Sequence, residues 1–186
     1  MSQRLQALQA KVDEKFKEIQ DKYAEQMHCN RGCFQCCRAG LSVSKVEQQA
    51  ISSFLLSHPE RDVLVKGLAE NPAHGKEFCP FLTYEGACSI YEVRPVICRS
   101  HGAPIKFKDG SSSFKRDVCT LNFQALPVDD IDENSVINIE LLNTLLALIN
   151  QTDCATDEAT QRYPLSYHGI IDGEGRQNLV DIVSDT

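Results

Sequence analysis

The sequence predicts an α+β fold that is mostly α: a small single domain of packed helices with short hairpins around a cysteine-lined metal centre. Three observations predict it. Apolar residues recur at helical steps near the start, after residue 44 and before residue 151. Between those stretches lie short runs punctuated by Gly and Pro. Eight of the nine cysteines fall in those punctuated runs, and the block of Cys29, Cys33, Cys36 and Cys37 is otherwise polar.

The first element is an amphipathic helix over 3–27. Leu5, Leu8, Val12, Phe16, Ile19 and Tyr23 form its stripe, and Lys, Glu, Gln and Asp form the other face. The stripe must be covered, either by the body of the same chain or by a second copy in a homodimer. Ser44 with Glu47 three residues later has the form of a capping box, so the next helix starts at Lys45. Val46, Ala50, Ile51, Phe54 and Leu55 face inward, and Pro59 ends it at about residue 57. A second short helix follows over roughly 60–70. "FCPFL" and "CSIY" read as two short strands around the turn "TYEGA". Pro95 suits the first position of a short helix carrying Cys98 in its first turn. "IKF", a turn at "KDGSS" and a return towards Cys119 read as a hairpin. The stretch 134–151 is apolar nearly all round, which predicts a central, buried helix. The tail is mixed, with "NLVDIV" a strand or short helix. The organisation expected is an N-terminal helix at 1–27, a cysteine-cluster domain with its supporting helices at 28–151, and a tail at 152–186 packing on it.

A chain of 186 residues can bury a core without staples. Its charge of −7 argues against nucleic acid or an anionic membrane as partner. The first twenty residues lack the apolar core of a signal peptide, and no 18-residue apolar run exists. A cytoplasmic location is expected. In that compartment clustered thiols read as metal ligands before they read as disulfides.

The thiols are Cys29, Cys33, Cys36, Cys37, Cys79, Cys88, Cys98, Cys119 and Cys154. Close spacing in the first four lets one loop wrap an ion, and distant cysteines then complete the shell. Nearly pure sulfur suits Zn²⁺ or iron, including an iron–sulfur cluster, and not magnesium or calcium. Neighbouring side chains diverge in extended or helical backbone, so Cys36 and Cys37 are expected to serve two centres, or one of them to pack in the core on the opposite side from the other. Either two four-sulfur sites or one site with four spectators satisfies the count. Cys154, alone in "NQTDCATDE", reads as a non-ligand. Five arginines, Arg31, Arg38, Arg94, Arg99 and Arg116, lie within four residues of a cysteine, where they would favour thiolates or simply pair with surface acids. His28 and His101 flank cysteine blocks, as surface groups or neighbours of a site.

"CNRGCFQCC" followed by "CPFLTYEGACSIYEVRPVICR" resembles the YkgJ family of cysteine-cluster proteins, the zinc- or iron-chelating CxxCxxCC family. The matching residues are Cys29, Cys33, Cys36 and Cys37, then Cys79 and Pro80, then Cys88, Ile90, Tyr91, Arg94, Pro95, Cys98 and Arg99. Three residues rather than two separate Cys29 from Cys33, with Gly32 among them. The resemblance implies metal chelation over roughly 28–120 and supplies no reaction. The expected ligands are Cys29, Cys33, Cys36, Cys37, Cys79, Cys88, Cys98 and Cys119, with Tyr91, Arg94 and Arg99 fixing the loop around the metal.

A similar motif in flagellin lysine methylases makes a protein methylase-like, cluster- or zinc-dependent transferase an alternative. An iron–sulfur redox protein is another. No catalytic signature accompanies the cysteines: there is no phosphate loop, no H-E-x-x-H and no nucleophile elbow. The catalytic residues are therefore unknown.

Overall fold

The computed structural model describes residues 2–58, 75–110, 113–156, 158–166 and 169–170. Helices at both ends of this region carry the cysteine loops between them. Among the described residues there are four α-helices: α1 (Gln3–Lys22), α2 (Lys45–Ser57), α3 (Val96–Ser100) and α4 (Ile139–Asp153). Two small sheets accompany them. β1 (Ser42–Val43) pairs antiparallel with β5 (Tyr163–Pro164). β2 (Ile105–Lys108) pairs antiparallel with β3 (Phe114–Asp117), with Ile105 opposite Asp117, and parallel with β4 (Ile137–Asn138). This is the mostly helical α+β domain that the periodicities predict. The helix expected at 60–70 and the tail segment "NLVDIV" lie outside the described residues. Among the described residues no helix is long and apolar enough to cross a membrane.

The stripe of α1 is buried within the chain. Leu5, Leu8 and Val12 join Val46, Ala50, Val96 and Leu146, while Ile19 joins Met27, Ala103, Phe123, Ile131, Val136 and Ile137. The helix therefore lies on α3 and α4, and no second copy is needed to cover its apolar face. Ser2 caps it by accepting from the Leu5 N–H at 3.1 Å, and Arg4 reaches Asp153 at the end of α4 at 2.6 Å. The helix stops at Lys22, five residues short of the expected boundary. Tyr23 turns out of the helix to meet Phe123 edge-on, with ring centroids 5.2 Å apart. The Gln26 carbonyl accepts from the Phe123 N–H at 2.8 Å. Phe123 holds a left-handed φ of 53° while buried, so packing pays for that strain.

The capping box on α2 forms as read. Glu47 accepts from the Ser44 N–H at 3.1 Å and from its hydroxyl at 2.9 Å. The helix spans 45–57 as expected.

Three expectations are corrected. The predicted strands around "TYEGA" reduce to a tight turn with a single bridge between Leu82 and Cys88. The predicted helix at 134–151 begins only at Ile139. Val136 is core, Ile137 and Asn138 form β4 beside β2, and the Asn138 side chain accepts from the Leu141 N–H at 3.2 Å. Nor is that helix buried all round: Leu141 and Leu148 are 54% and 55% exposed. Its inward face rests on Leu146 and on Asn150, whose Oδ1 accepts from the Val46 N–H at 2.8 Å.

Candidate metal centre

The two cysteine blocks are joined through their backbones. Residues 30–33 and 34–37 make successive turns, with Cys33 N–H to Asn30 O at 3.1 Å and Cys37 N–H to Phe34 O at 2.9 Å. The Cys37 carbonyl then accepts from the Cys79 N–H at 2.9 Å. Beside this bond Arg38 bridges Phe78, and Phe34 meets the Phe78 ring edge-on at 5.4 Å. Gly86, at φ 71°, lets Phe34 lie against the turn; a Cβ there would stand 2.6 Å from Phe34 Cδ1. So 29–37 and 79–98 converge, as the motif spacing predicts.

All eight expected thiols line one cavity of about 760 Å³, and Cys154 does not. Cys154 instead packs beside Leu5, Val46 and Leu146, with its sulfur 3.5 Å from Asn150 Oδ1. The remaining wall includes Leu41, Phe81, Leu82, Ile90 and Leu165, together with Asp13, Phe16, Lys17 and Gln20 from α1. Asp13 is the one carboxylate of this lining, and it is engaged by Arg99 and by Arg94 at 3.5 Å. The donor set is thus soft sulfur, which fits zinc or iron and leaves no oxygen cage for a hard cation. Among the described residues, no three His, Cys, Asp or Glu side chains are already closed into a metal-holding group. The thiols share a cavity, but they do not yet form a shell.

Two neighbourhoods divide the cavity. Cys79, Cys88 and Cys98 pack on the cluster of Val43, Ile51, Leu55, Phe81, Ile90 and Val93, and the Cys79 N–H ties this group to the Cys37 carbonyl. Cys29 packs on the Ile19–Phe123 cluster, and Asn122 links it to Cys119, donating from its side chain to Cys29 Sγ at 3.2 Å and from its backbone to Cys119 O at 2.8 Å. Cys36 and Cys37 both line the cavity, so neither is turned away from it into the core. The turn ending at Cys37 keeps them together, and their other partners differ.

Without a cation, this environment holds most of these thiols protonated. Burial pushes Cys98 up to about 12, with Cys79, Cys88 and Glu47 adding to the effect and Arg94 opposing it. Burial likewise raises Cys79 to about 11 and moves Cys88 upward, the latter against Arg94 and Arg99. Cys36 rises to about 12 through its bond to Cys37, against a bond to His101, and the same bond lowers Cys37. A bound metal ion reverses this, because a coordinating thiol is deprotonated.

The three residues expected to hold the loop have distinct roles. Arg99 is buried and donates to the carbonyls of Arg94 at 2.9 Å and Glu92 at 2.6 Å, while its other arm pairs with Asp13. Arg94 stacks over the Tyr91 ring at 4.2 Å, and Tyr91 stands at the cavity rim, 59% exposed. Of the other arginines, Arg38 lies over Phe78 at 4.5 Å. Arg116 serves the segment after β3, donating to the Ile131 carbonyl at 2.7 Å.

Sequence reasoning missed Asn122, the second bond of Glu47 and the polar α1 residues of the lining. Asn122 is buried and clamps three segments. It accepts from the His28 N–H at 2.9 Å, and it donates to Gly102 O at 2.8 Å and to Cys29 Sγ at 3.2 Å. Glu47 reaches beyond its own cap to accept from the Val96 N–H at 3.0 Å, at the start of the helix carrying Cys98. These contacts bridge distant segments, so no local pattern announces them. His101, whose sequence position admitted a role beside a site, lines the cavity and bonds to Cys36.

Two substitutions test this geometry. Gly102 holds φ 99°, and a Cβ there would stand 2.5 Å from Cys29 Sγ. Gly102→Ala is expected to cost about 1–3 kcal/mol in urea denaturation, through the strained φ alone. Displacement of Cys29 should also reduce bound metal. A variant as stable as the parent would contradict the contact. Cys154→Ser should leave metal content per chain unchanged, and loss of metal would place Cys154 in the site after all.

No curated protein and no solved structure matches the chain. A family model does: CxxCxxCC, described as a "putative zinc- or iron-chelating domain", matches residues 28–120. That span is half of the chain and contains all eight thiols of the cavity. In agreement with the resemblance in its motifs, the chain belongs to the CxxCxxCC family.

Proposed function

We propose that this protein binds zinc or iron through Cys29, Cys33, Cys36, Cys37, Cys79, Cys88, Cys98 and Cys119. The observation that carries the reading is the sorting of the cysteines. Eight from four separated segments reach one cavity, and the ninth, in a polar tail, goes elsewhere. Small core hydrophobes would not sort by motif in this way. When bound, the metal supplies a focus for the thiolates and a large share of the folding energy. Arg94 and Arg99 then offset the charge of the thiolates, and Arg99 holds the 92–94 loop against α1.

The test is anaerobic purification followed by metal analysis and a visible spectrum of the same sample. Colourless protein with stoichiometric zinc supports a chelating or structural module. Brown protein with iron and acid-labile sulfide supports the iron–sulfur form. Protein that carries neither when expressed with metal available, and whose melting temperature is unchanged by chelator, overturns the reading.

A further inference from the structure

We infer that the eight cysteines are divided between two metal centres that meet at the Cys36–Cys37 peptide: Cys37, Cys79, Cys88 and Cys98 close one, and Cys29, Cys33, Cys36 and Cys119 close the other. The inference rests on the metal-binding reading above and adds the assignment of ligands and the number of ions.

The geometry carries it in three ways. First, the division follows the packing. Cys79, Cys88 and Cys98 stand on one hydrophobic cluster, and Cys29 stands on another. Second, the frames are separate. The first set is tied by the Cys79 N–H to Cys37 O bond, by the Leu82–Cys88 bridge and by the helix that Glu47 caps. The second is tied by Asn122, which holds His28, Cys29 and Gly102, while its own N–H donates to Cys119 O at 2.8 Å. Third, each set numbers four, the complement of a closed tetrahedral thiolate site. Adjacent thiolates seldom serve one tetrahedral ion. Cys36 and Cys37, adjacent in the chain and both lining the cavity, therefore mark the boundary between two shells.

The surroundings of the two sets differ. The first has Arg94 and Arg99 close by, which compensate four thiolates without entering the shell. The second has Asn122 on Cys29 and His101 on Cys36, hydrogen-bonding groups suited to orienting sulfur. Each centre thus has its own supporting contacts, and damage to one should spare the other.

The experiment is cadmium substitution of the full chain, read by ¹¹³Cd NMR and by metal-to-protein ratio, for the parent and for Cys119→Ser and Cys88→Ser. The parent is expected to bind two ions per chain and to give two resonances in the range of sulfur-rich coordination. Cys119→Ser should shift or abolish one resonance, and Cys88→Ser the other. Circular dichroism confirms that each variant is folded. If Cys88→Ser unfolds, Cys79→Ser replaces it, and Cys119→Ser alone must still spare one resonance. A single ion per chain, or one substitution that removes both resonances from a folded variant, overturns the division while leaving metal binding intact. A parent that binds no cadmium, zinc or iron overturns the metal-binding reading itself.

Discussion

Stripping the metal should lower the midpoint of thermal unfolding by ~20 °C or more and reverse the sign of the pH dependence of stability. The size follows from the energy that structural thiolate sites supply, ~10–16 kcal/mol at neutral pH, spread over a chain of this length. Three hydrophobic clusters remain without metal, so the stripped chain should keep helical circular dichroism at neutral pH while melting earlier. The sign follows from the thiols. With metal bound, protons compete for the same sulfurs, so stability falls as the solution is acidified. In the stripped protein, Cys36 and Cys98 are raised to about 12 and Cys79 to about 11, above the ordinary 9.0. The folded state then holds more protons than the unfolded state between those values. The stability they contribute is present below about pH 9 and is lost as pH rises towards 12. Cys37, shifted down, opposes this alone. Urea denaturation of loaded and stripped protein across neutral and alkaline pH checks both statements. Parallel pH trends for the two forms would refute the buried-thiol account.

Glu47→Ala should be the most damaging substitution outside the cysteines. Its carboxylate is buried and accepts from three donors on two elements: the Ser44 N–H, the Ser44 hydroxyl and the Val96 N–H. Truncation leaves these without acceptors in a buried place, at a cost of about 3 kcal/mol. Glu47→Gln should recover only part of this, because an amide NH₂ cannot accept where a second oxygen did. The α3 helix carries Cys98 two residues beyond Val96, so bound metal should fall in parallel. Denaturation of the loaded variants, with metal content measured on the same samples, decides it. A loss below about 0.5 kcal/mol for Glu47→Ala would show that water or a neighbouring group takes over the three bonds.

Glu47 also shows what the sequence could and could not reveal. Its role as a cap was legible, because a capping box is a local pattern over four residues. Its second bond, to Val96, was not, since nothing local places α3 against α2. The stripe of α1 and the 105–117 hairpin were legible for the same local reason. The start of α4 was misread because Val136 and Ile137 continue its apolar pattern, yet Val136 packs in the core ahead of the helix and a parallel partner in β2 claims Ile137. Its buried character was overestimated because a nearly all-apolar helix gives no outward face to read, and the fold leaves Leu141, Leu145 and Leu148 exposed. The cavity cysteines were found because their spacing is itself a local signal. Asp13, Asn122 and the contact between His101 and Cys36 depend on which distant segments meet.

The bond from the Cys79 N–H to the Cys37 carbonyl has a consequence for biosynthesis. The first cysteine block leaves the ribosome well before its partners, and Asn122, which clamps Cys29, comes later still. At roughly 5–20 residues per second, the interval lasts several seconds. Throughout it, four exposed thiols within nine residues have no cage to enter. On the proposed metal-binding reading, the shells close only after these segments have met, and until then the exposed thiols of the nascent chain are open to pairing with one another.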